Sequence, residues 1–578
     1  MNTKTNTSIV VALLCTLTAC ATDYPVPKPR PVKTDIRVGT YIFPGYYRLD
    51  QSTNSEERHT IDAECEWDII VPFSEPRPVL GFYDDSLPEV NDWHIKWALE
   101  AGISFFVFDW YWMKGETRLM RTLEDGFLKS KYCGQMDFCI NWCNHPLDYA
   151  DEMTFTPEAL EEMFEYCATN YFSKPNYLKV KGRPVFMVWN LGNVVKQCGG
   201  VENFKEVVVP ELNKICRKHG GKDLYLIYIN NEPQGLEGTA VCDAVTHYGW
   251  PADTTETPFA QPGSAPYSEL VDILPGFWEK MQCQDMPYWV STQSGWDDLG
   301  RTEGHGKMTR WVRTGNTVEI FERSLVEGKA AVKPELPFFI IEAWNEWGEG
   351  SYIEPSRNRG FVHLDAIRRT FAPQAGKNEW AQPTPEQIRS YSVYGDEKLA
   401  IAKANEAKPY PEPPAPAKWP LDIEVAAPSR PKNVIKQFLF SDPKMANRFS
   451  EINDTKILGF SKSGMKLTAT GEDPKFVISG DWGPIEKIKG FRVTMKYSGS
   501  KWNHAFFLWG IDQAEIVGKE SRRLLLKTDG EEYTYTMNFR EGYDHGDGNL
   551  TAVRLSIPSA CNGVCELIAI EIIGDPSK

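Results

Sequence analysis

Glu346 and Glu349 stand three positions apart in the run Glu342-Ala343-Trp344-Asn345-Glu346-Trp347-Gly348-Glu349-Gly350. Two carboxyls flanking one bond are the minimum machinery of glycoside cleavage. One stays protonated and donates to the leaving oxygen, while the other works ionised. In an extended chain Glu342, Trp344 and Glu346 share a face and Glu349 has the opposite parity. Gly348 and Gly350 permit a turn that would return Glu349 to the opening Glu346 faces. The competing reading is an ion-paired loop held by Arg357 or Arg359, although Trp-Asn-Glu-Trp is an odd way to build a surface salt bridge.

The remaining candidates follow successive apolar runs. They are Tyr46 and Tyr47; Asp109, Trp110 and Trp112; Trp142, Asn144 and His145; Trp189 and Asn190; Asn231 and Glu232; Tyr248; Trp296 and Asp297; and Asn345. Rings interleaved with carboxylates and amides describe a carbohydrate cleft, because sugar CH faces stack on aromatics and hydroxyls need fixed partners. Any one of these rings is more often structural than ligand-binding. Their convergence carries the argument.

The elements that must position these residues alternate. Runs rich in aromatic and β-branched residues cover Val38–Pro44, Ser104–Trp110, Asp137–Cys143, Pro184–Asn190, Leu224–Asn230, Asp243–Tyr248, Pro287–Thr292 and Pro337–Asn345. Helical periodicity lies between them, as in Asn91–Ala101, Pro157–Asn170, Glu202–His219 and Asn316–Glu327. This alternation predicts an α/β fold, a (β/α)₈ barrel with its site at the carboxyl ends of the strands. The alternative, an open doubly wound sheet, calls for a glycine-rich phosphate loop after its first strand. Pro44-Gly45-Tyr46-Tyr47 supplies none.

At this point a family resemblance is visible. Trp344-Asn345-Glu346-Trp347-Gly348-Glu349-Gly350 with Tyr352-Ile353-Glu354-Pro355 resembles the signature of WbsX-like proteins, relatives of the glycoside hydrolase family 99 endo-α-mannosidases. Phe138–Asn144, Gly182–Phe186, Gly295-Trp296-Asp297, and Ala101-Gly102-Ile103 leading to Phe108-Asp109-Trp110 are similar to further blocks, so the resemblance spans roughly Arg37 to Phe371. It implies a barrel glycosidase in which Glu346 is the base and Glu349 the acid/base. The chain departs from the pattern at His145, where many WbsX-like sequences carry an acid, at Glu342, often a small amide, and at Gly348, a histidine in the mannosidases.

The whole chain has 578 residues, 42% of them hydrophobic, with a formal charge of −16. That is too long for one core and too apolar for disorder. Sixty-three basic against seventy-nine acidic residues argues against a nucleic-acid partner. Ile9–Leu17 is a short apolar run, and Leu17-Thr18-Ala19-Cys20 resembles a bacterial lipobox, with an ordinary cleaved signal as the alternative. The expected organisation is a signal over 1–19, lipidation at Cys20, a tether over 20–36, a catalytic barrel over 37–375, and a helical and Pro-rich linker over 376–432. A carbohydrate-binding-like β-sandwich follows over 433–578. Trp482, Trp502, Trp509 and Tyr543 are candidates for a sugar-stacking face there, with core packing the equal alternative. The thirteen cysteines read mostly as buried thiols, Cys561–Cys565 being the best disulfide candidate.

The expected function is endo-acting hydrolysis of an extracellular polysaccharide or glycan by a monomer lipid-anchored in the cell envelope, without cofactor or metal. A glycosyltransferase of polysaccharide synthesis and a non-catalytic glycan-binding lipoprotein are the alternatives. Export argues against the transferase, because nucleotide sugars are cytoplasmic and no phosphate-cradling loop is evident.

Overall fold

The computed structural model describes residues 26–48, 65–113, 115–145, 155–229, 236–248, 263–283, 286–303, 310–416, 421–429, 432–471, 473–512, 521–540, 547–560 and 562–574. Cys20, Asn231, Glu232, Tyr543 and Cys561 lie outside them. Eight parallel strands form the barrel: β1 (Arg37–Ile42), β2 (Ile103–Met113), β3 (Asp137–Trp142), β4 (Arg183–Val188), β5 (Tyr225–Ile229), β6 (Ala244–Thr246), β7 (Val290–Gln293) and β8 (Phe338–Glu342). β8 lies between β7 and β1, pairing Phe339 with Val290 and Val38. A parallel bridge between Val245 and Tyr288 completes the ring between β6 and β7.

Local chemistry sets the elements around it. Helix α1 (Pro88–Ala101) begins on a proline, whose missing N–H has no partner to lose there, and stops at Gly102 with φ of 99°. Helix α2 (Pro157–Cys167) starts on Thr156, whose side chain accepts the Ala159 N–H at 3.2 Å. Helices α3 (Val209–Lys218), α4 (Tyr267–Cys283), α5 (Val318–Ala331) and α6 (Val362–Phe371) continue the outer layer.

Aromatic side chains fill the lower barrel: the Trp289 and Phe338 rings stack at 3.8 Å, and Phe105 meets both edge-on. Gly39 makes this possible, because a Cβ there would lie 2.1 Å from the Phe105 ring. The floor of the barrel is therefore apolar, and its polar groups collect above it.

Two antiparallel sheets make up the C-terminal sandwich. One joins Leu421–Ala426, Tyr533–Phe539, Ile488–Ser498, Val564–Gly574, Met465–Ala469 and Thr455–Phe460, with Val434–Leu439 also on Val564–Gly574. The other runs Phe449–Asn453, Lys475–Ser479, Leu550–Ser556, His504–Ile511 and Ser521–Leu525. Of the candidates for a sugar-stacking face, the three described tryptophans take the packing alternative. Trp509 is buried between the sheets, Trp482 packs edge-on against Phe438, and Trp502 is buried against Phe277 of α4 with Lys280 over its ring. Cys565 is a buried free thiol, which removes the expected bridge to Cys561. No helix among the described residues is long and apolar enough to cross a membrane.

Candidate functional site

β8 ends at Glu342, and the chain then builds a two-rung hairpin pairing Asn345 with Tyr352 and Glu346 with Ser351. Its turn is one 3₁₀ turn over Trp347–Glu349 closed by Gly350 at φ of 65°. A Cβ at 350 would lie 2.6 Å from the Asp297 nitrogen, so glycine is required twice, for conformation and for space. Because the strand ends before Trp344, the expected shared face breaks at that residue, while Glu342, whose Oε2 accepts from Ser351 Oγ at 2.8 Å, still feels the charges of Glu346 and Glu349. Trp344 packs outward on His94 and Phe106, while Glu346 points to Tyr248 and Arg301.

Asn345 is spent on this geometry rather than on substrate. Its side chain accepts the Phe43 N–H and donates to the Phe43 carbonyl, both at 2.8 Å, fastening the hairpin to the end of β1. Glu354 has a similar duty. Its buried carboxylate accepts from Trp347 Nε1 at 2.9 Å and the Tyr83 hydroxyl at 2.7 Å, with His94 Nε2 at 3.1 Å.

One guanidinium links the two central carboxyls. Arg301, on the short helix Leu299–Glu303, places Nη2 3.3 Å from Glu346 Oε2 and Nε 3.2 Å from Glu349 Oε1. Its Nη1 lies 4.0 Å from Glu66 Oε2. The partner is thus neither Arg357, which pairs with Glu406, nor Arg359, which covers the Tyr352 ring. The Glu349 side chain is 18% exposed and that of Glu346 5%, so Glu349 is the more accessible of the pair. Burial raises both carboxyls; each also feels Arg301, which lowers them, and Glu349 pushes Glu346 up further. The single positive charge of Arg301 is shared by Glu346 and Glu349, two carboxyls that burial pushes toward the protonated form.

A second carboxyl–hydroxyl chain approaches from β2. The Tyr248 hydroxyl lies 2.9 Å from Glu346 Oε1 and 3.3 Å from Asp109 Oδ2, and Asn141 Nδ2 donates to Asp109 Oδ1 at 2.8 Å. Burial pushes the Asp109 carboxyl up to about 7, against the lowering hydrogen bonds of Asn141, Cys143 and Tyr248. An unfolded aspartate titrates near ~3.9, so the native state holds the extra proton between these values and stability falls as pH rises through about 7. Asparagine at 109 copies the protonated form. Asp109→Asn is expected to match the wild-type melting temperature near pH ~4 and to exceed it increasingly toward pH ~8. A pH series of thermal melts checks this; a constant difference between the two proteins would contradict it.

Several other expected ligands turn out to be framework. Trp110 and Trp112 alternate with Asp109 and so face the helix layer, where Trp110 donates to the Tyr171 hydroxyl and Trp112 packs on Tyr166. Trp142 likewise lies outward, between Phe155 and Phe186. Asn144 and Asn190 hold each other, Asn144 Nδ2 donating to the Asn190 carbonyl and Oδ1 accepting its N–H, and Asn190 also caps Leu191–Gln197. Tyr46 is buried on Trp67 with its hydroxyl accepting the Trp347 N–H, and buried Tyr47 lies under Arg121. Asp297 pairs with Arg310.

The expected residues that do converge are Glu346, Glu349, Asp109 and Tyr248. Trp189 and Tyr41 pack against Tyr248, and His145 lies edge-on to Trp189, while Trp296 is half-buried beside Asp297. Arg301, Glu66 and Tyr41 were not foreseen. For Arg301 the available signal was its place four residues after Asp297, opposite two acids in need of a cation.

Residues 74–367 match the family model described as Glycosyltransferase WbsX. The chain belongs to the WbsX family. Proteins called WxcX in two strains of Xanthomonas campestris pathovar campestris, themselves described as uncharacterized, are 23% identical over 310 residues, covering 50% of this chain and 42% of theirs. The chain thus spans less than half the length of these curated relatives. Among solved structures it resembles a glycoside hydrolase-like protein with a TM-score of 0.41 and 16% identity, over 60% of this chain and 97% of that one. It also resembles the GH99 endo-α-mannosidase of Bacteroides thetaiotaomicron with a TM-score of 0.38 and 16% identity, over 58% and 96%.

Proposed function

We propose that this WbsX-family protein is a glycoside hydrolase acting within an extracellular polysaccharide or glycan. The observation that carries the reading is the placement of Glu346 and Glu349 on one hairpin at the carboxyl end of β8, both held by Arg301. In this account Glu349, the more exposed carboxyl, protonates the leaving oxygen and later takes a proton back. Glu346, oriented by the Tyr248 hydroxyl and by Arg301, is the base on the sugar side. Arg301 gives the pair a charge state with one carboxylate and one carboxylic acid at modest cost, which is the division of labour such cleavage needs. The N-terminal segment, read as a lipoprotein signal, would hold the enzyme by Cys20 on the outer side of a membrane, where polymers are met.

Sugar transfer is the second reading, favoured by the description its family carries. The two separate in one experiment. The full chain is incubated with a panel of polysaccharides and oligosaccharides, read by new reducing ends. In parallel it is given labelled sugar nucleotides with acceptors. New reducing ends without label incorporation support hydrolysis; incorporation without new ends reverses the ranking.

A further inference from the structure

Asp297 stands where three parts of the chain meet. Its backbone N–H donates to the Glu349 carbonyl at 2.7 Å. Its Oδ1 accepts the N–H of Leu299 at 3.2 Å, the first residue of the short helix that carries Arg301. Its two carboxylate oxygens accept from Arg310 Nε and Nη2 at 3.0 and 2.9 Å. Finally, Oδ2 accepts the Tyr410 hydroxyl at 3.1 Å.

Tyr410 comes from outside the barrel. It lies in the run Pro409-Tyr410-Pro411-Glu412-Pro413-Pro414, whose composition predicts an extended spacer. The segment lies along the barrel. Arg310 Nη1 donates to the Glu412 carbonyl at 2.7 Å, Ser264 Oγ donates to the Pro414 carbonyl at 2.7 Å, and the Tyr410 ring lies under the Arg310 guanidinium with Phe73 at its edge.

We propose that this Pro-rich segment is a strap that completes the site, with Tyr410 a positioning residue acting through Asp297 on Glu349 and on the helix bearing Arg301. The proposal rests on the reading of Glu346 and Glu349 as the reacting pair. Its physics is that of a stiff tie. A proline-rich chain has few conformations to lose on docking, and its carbonyls, lacking neighbours with N–H groups, remain free to accept from Arg310 and Ser264. Burial and the Asp297 carboxylate keep the Tyr410 hydroxyl protonated, so it stays a donor. An aspartate committed to both Arg310 and Tyr410 cannot swing, and its N–H then fixes the Glu349 backbone. The packing leaves no slack on that side, since even a methyl at Gly350 would overlap Asp297. Because the same carboxylate also starts the Leu299–Glu303 helix, the strap bears on both ends of the Arg301–Glu349 contact.

The test uses the full chain as wild type, Tyr410→Phe and Tyr410→Ala. Phenylalanine keeps the ring against Phe73 and Arg310 and removes only the donor. Hydrogen–deuterium exchange without ligand is read on peptides covering 295–302 and 346–352, beside thermal melting and kinetics on any glycan the wild type cuts. Exchange in those peptides is expected to speed up about 3- to 10-fold in both variants, the range for loss of one hydrogen bond. Exchange in the barrel strands and the melting temperature of the Phe variant should stay at wild-type values. On a cleaved glycan, kcat should fall while KM holds. The proposal is overturned if Tyr410→Phe exchanges like wild type at those peptides, or if exchange quickens everywhere with a lower melting temperature, which is loss of fold stability alone. The exchange readout needs no substrate. A wild type that cuts nothing therefore defeats the proposed function by itself, while the strap's coupling to Glu349 is still decided.

Discussion

Glutamine at 346 or at 349 is expected to lower turnover at least ~10²-fold, the lower end for losing a positioned acid or base. The substitution is nearly isosteric. At 346 it still accepts from Tyr248, and at 349 it leaves Arg301 with Glu346 and Glu66, so melting temperature and glycan binding should change little. The two losses should differ in kind. A leaving group that departs as a stabilised phenolate needs no proton, so an activated aryl glycoside should recover much of the Glu349→Gln deficit and little of the Glu346→Gln deficit. Steady-state kinetics on matched natural and aryl substrates reads this out. Equal recovery at both positions would contradict the assigned roles, and full activity in both variants would dismiss them.

Arg301→Met should produce the largest change in stability. Methionine fills part of the space but leaves Glu346 and Glu349 buried without their cation, and breaking a buried pair from one side costs ~3–5 kcal/mol. The carboxyls can escape by protonation, so the cost depends on pH. In the wild type Arg301 draws their pKa values down; without it they climb further. The variant therefore needs protons that the wild type does not, and its deficit must grow with rising pH. Denaturant unfolding at about pH 5 and about pH 8 should show a small loss at the first and several kcal/mol at the second. A deficit equal at both would mean that Arg301 packs rather than neutralises. Arg301→Lys keeps the charge but loses the planar reach to two carboxylates, and should fall between.

Much of this site can be read from residue order because strands report themselves. Each of the eight apolar runs overlaps a barrel strand, since aromatic and β-branched density is a local property. Alternation is local too, and applied strictly it separates Asp109 from Trp110 and Trp112, whose neighbouring parity sends them into the helix layer. Hidden instead are contacts between residues far apart in the chain. Arg301 meets Glu346 across 45 positions, Tyr410 meets Asp297 across 113, and Asn345 meets Phe43 across 302. Asp297 shows the cost: an acid beside a Trp at the end of a strand looks like a sugar ligand until Arg310 and Tyr410 are seen to hold it. The end of β8 at Glu342 is a similar case, because only the Asn345 clamp on β1 shows where the strand gives way to the hairpin.

The central claim, that Glu346 and Glu349 together break a glycosidic bond with water, is tested most directly by digestion in heavy-oxygen water. The wild type and the Glu346→Gln/Glu349→Gln double variant are each incubated with the glycan panel, and the products are read by mass spectrometry. Wild-type fragments are expected to carry one heavy oxygen at each new reducing end, and the double variant is expected to yield none. Fragments without the heavy oxygen, or the same labelled fragments from the double variant, would contradict it.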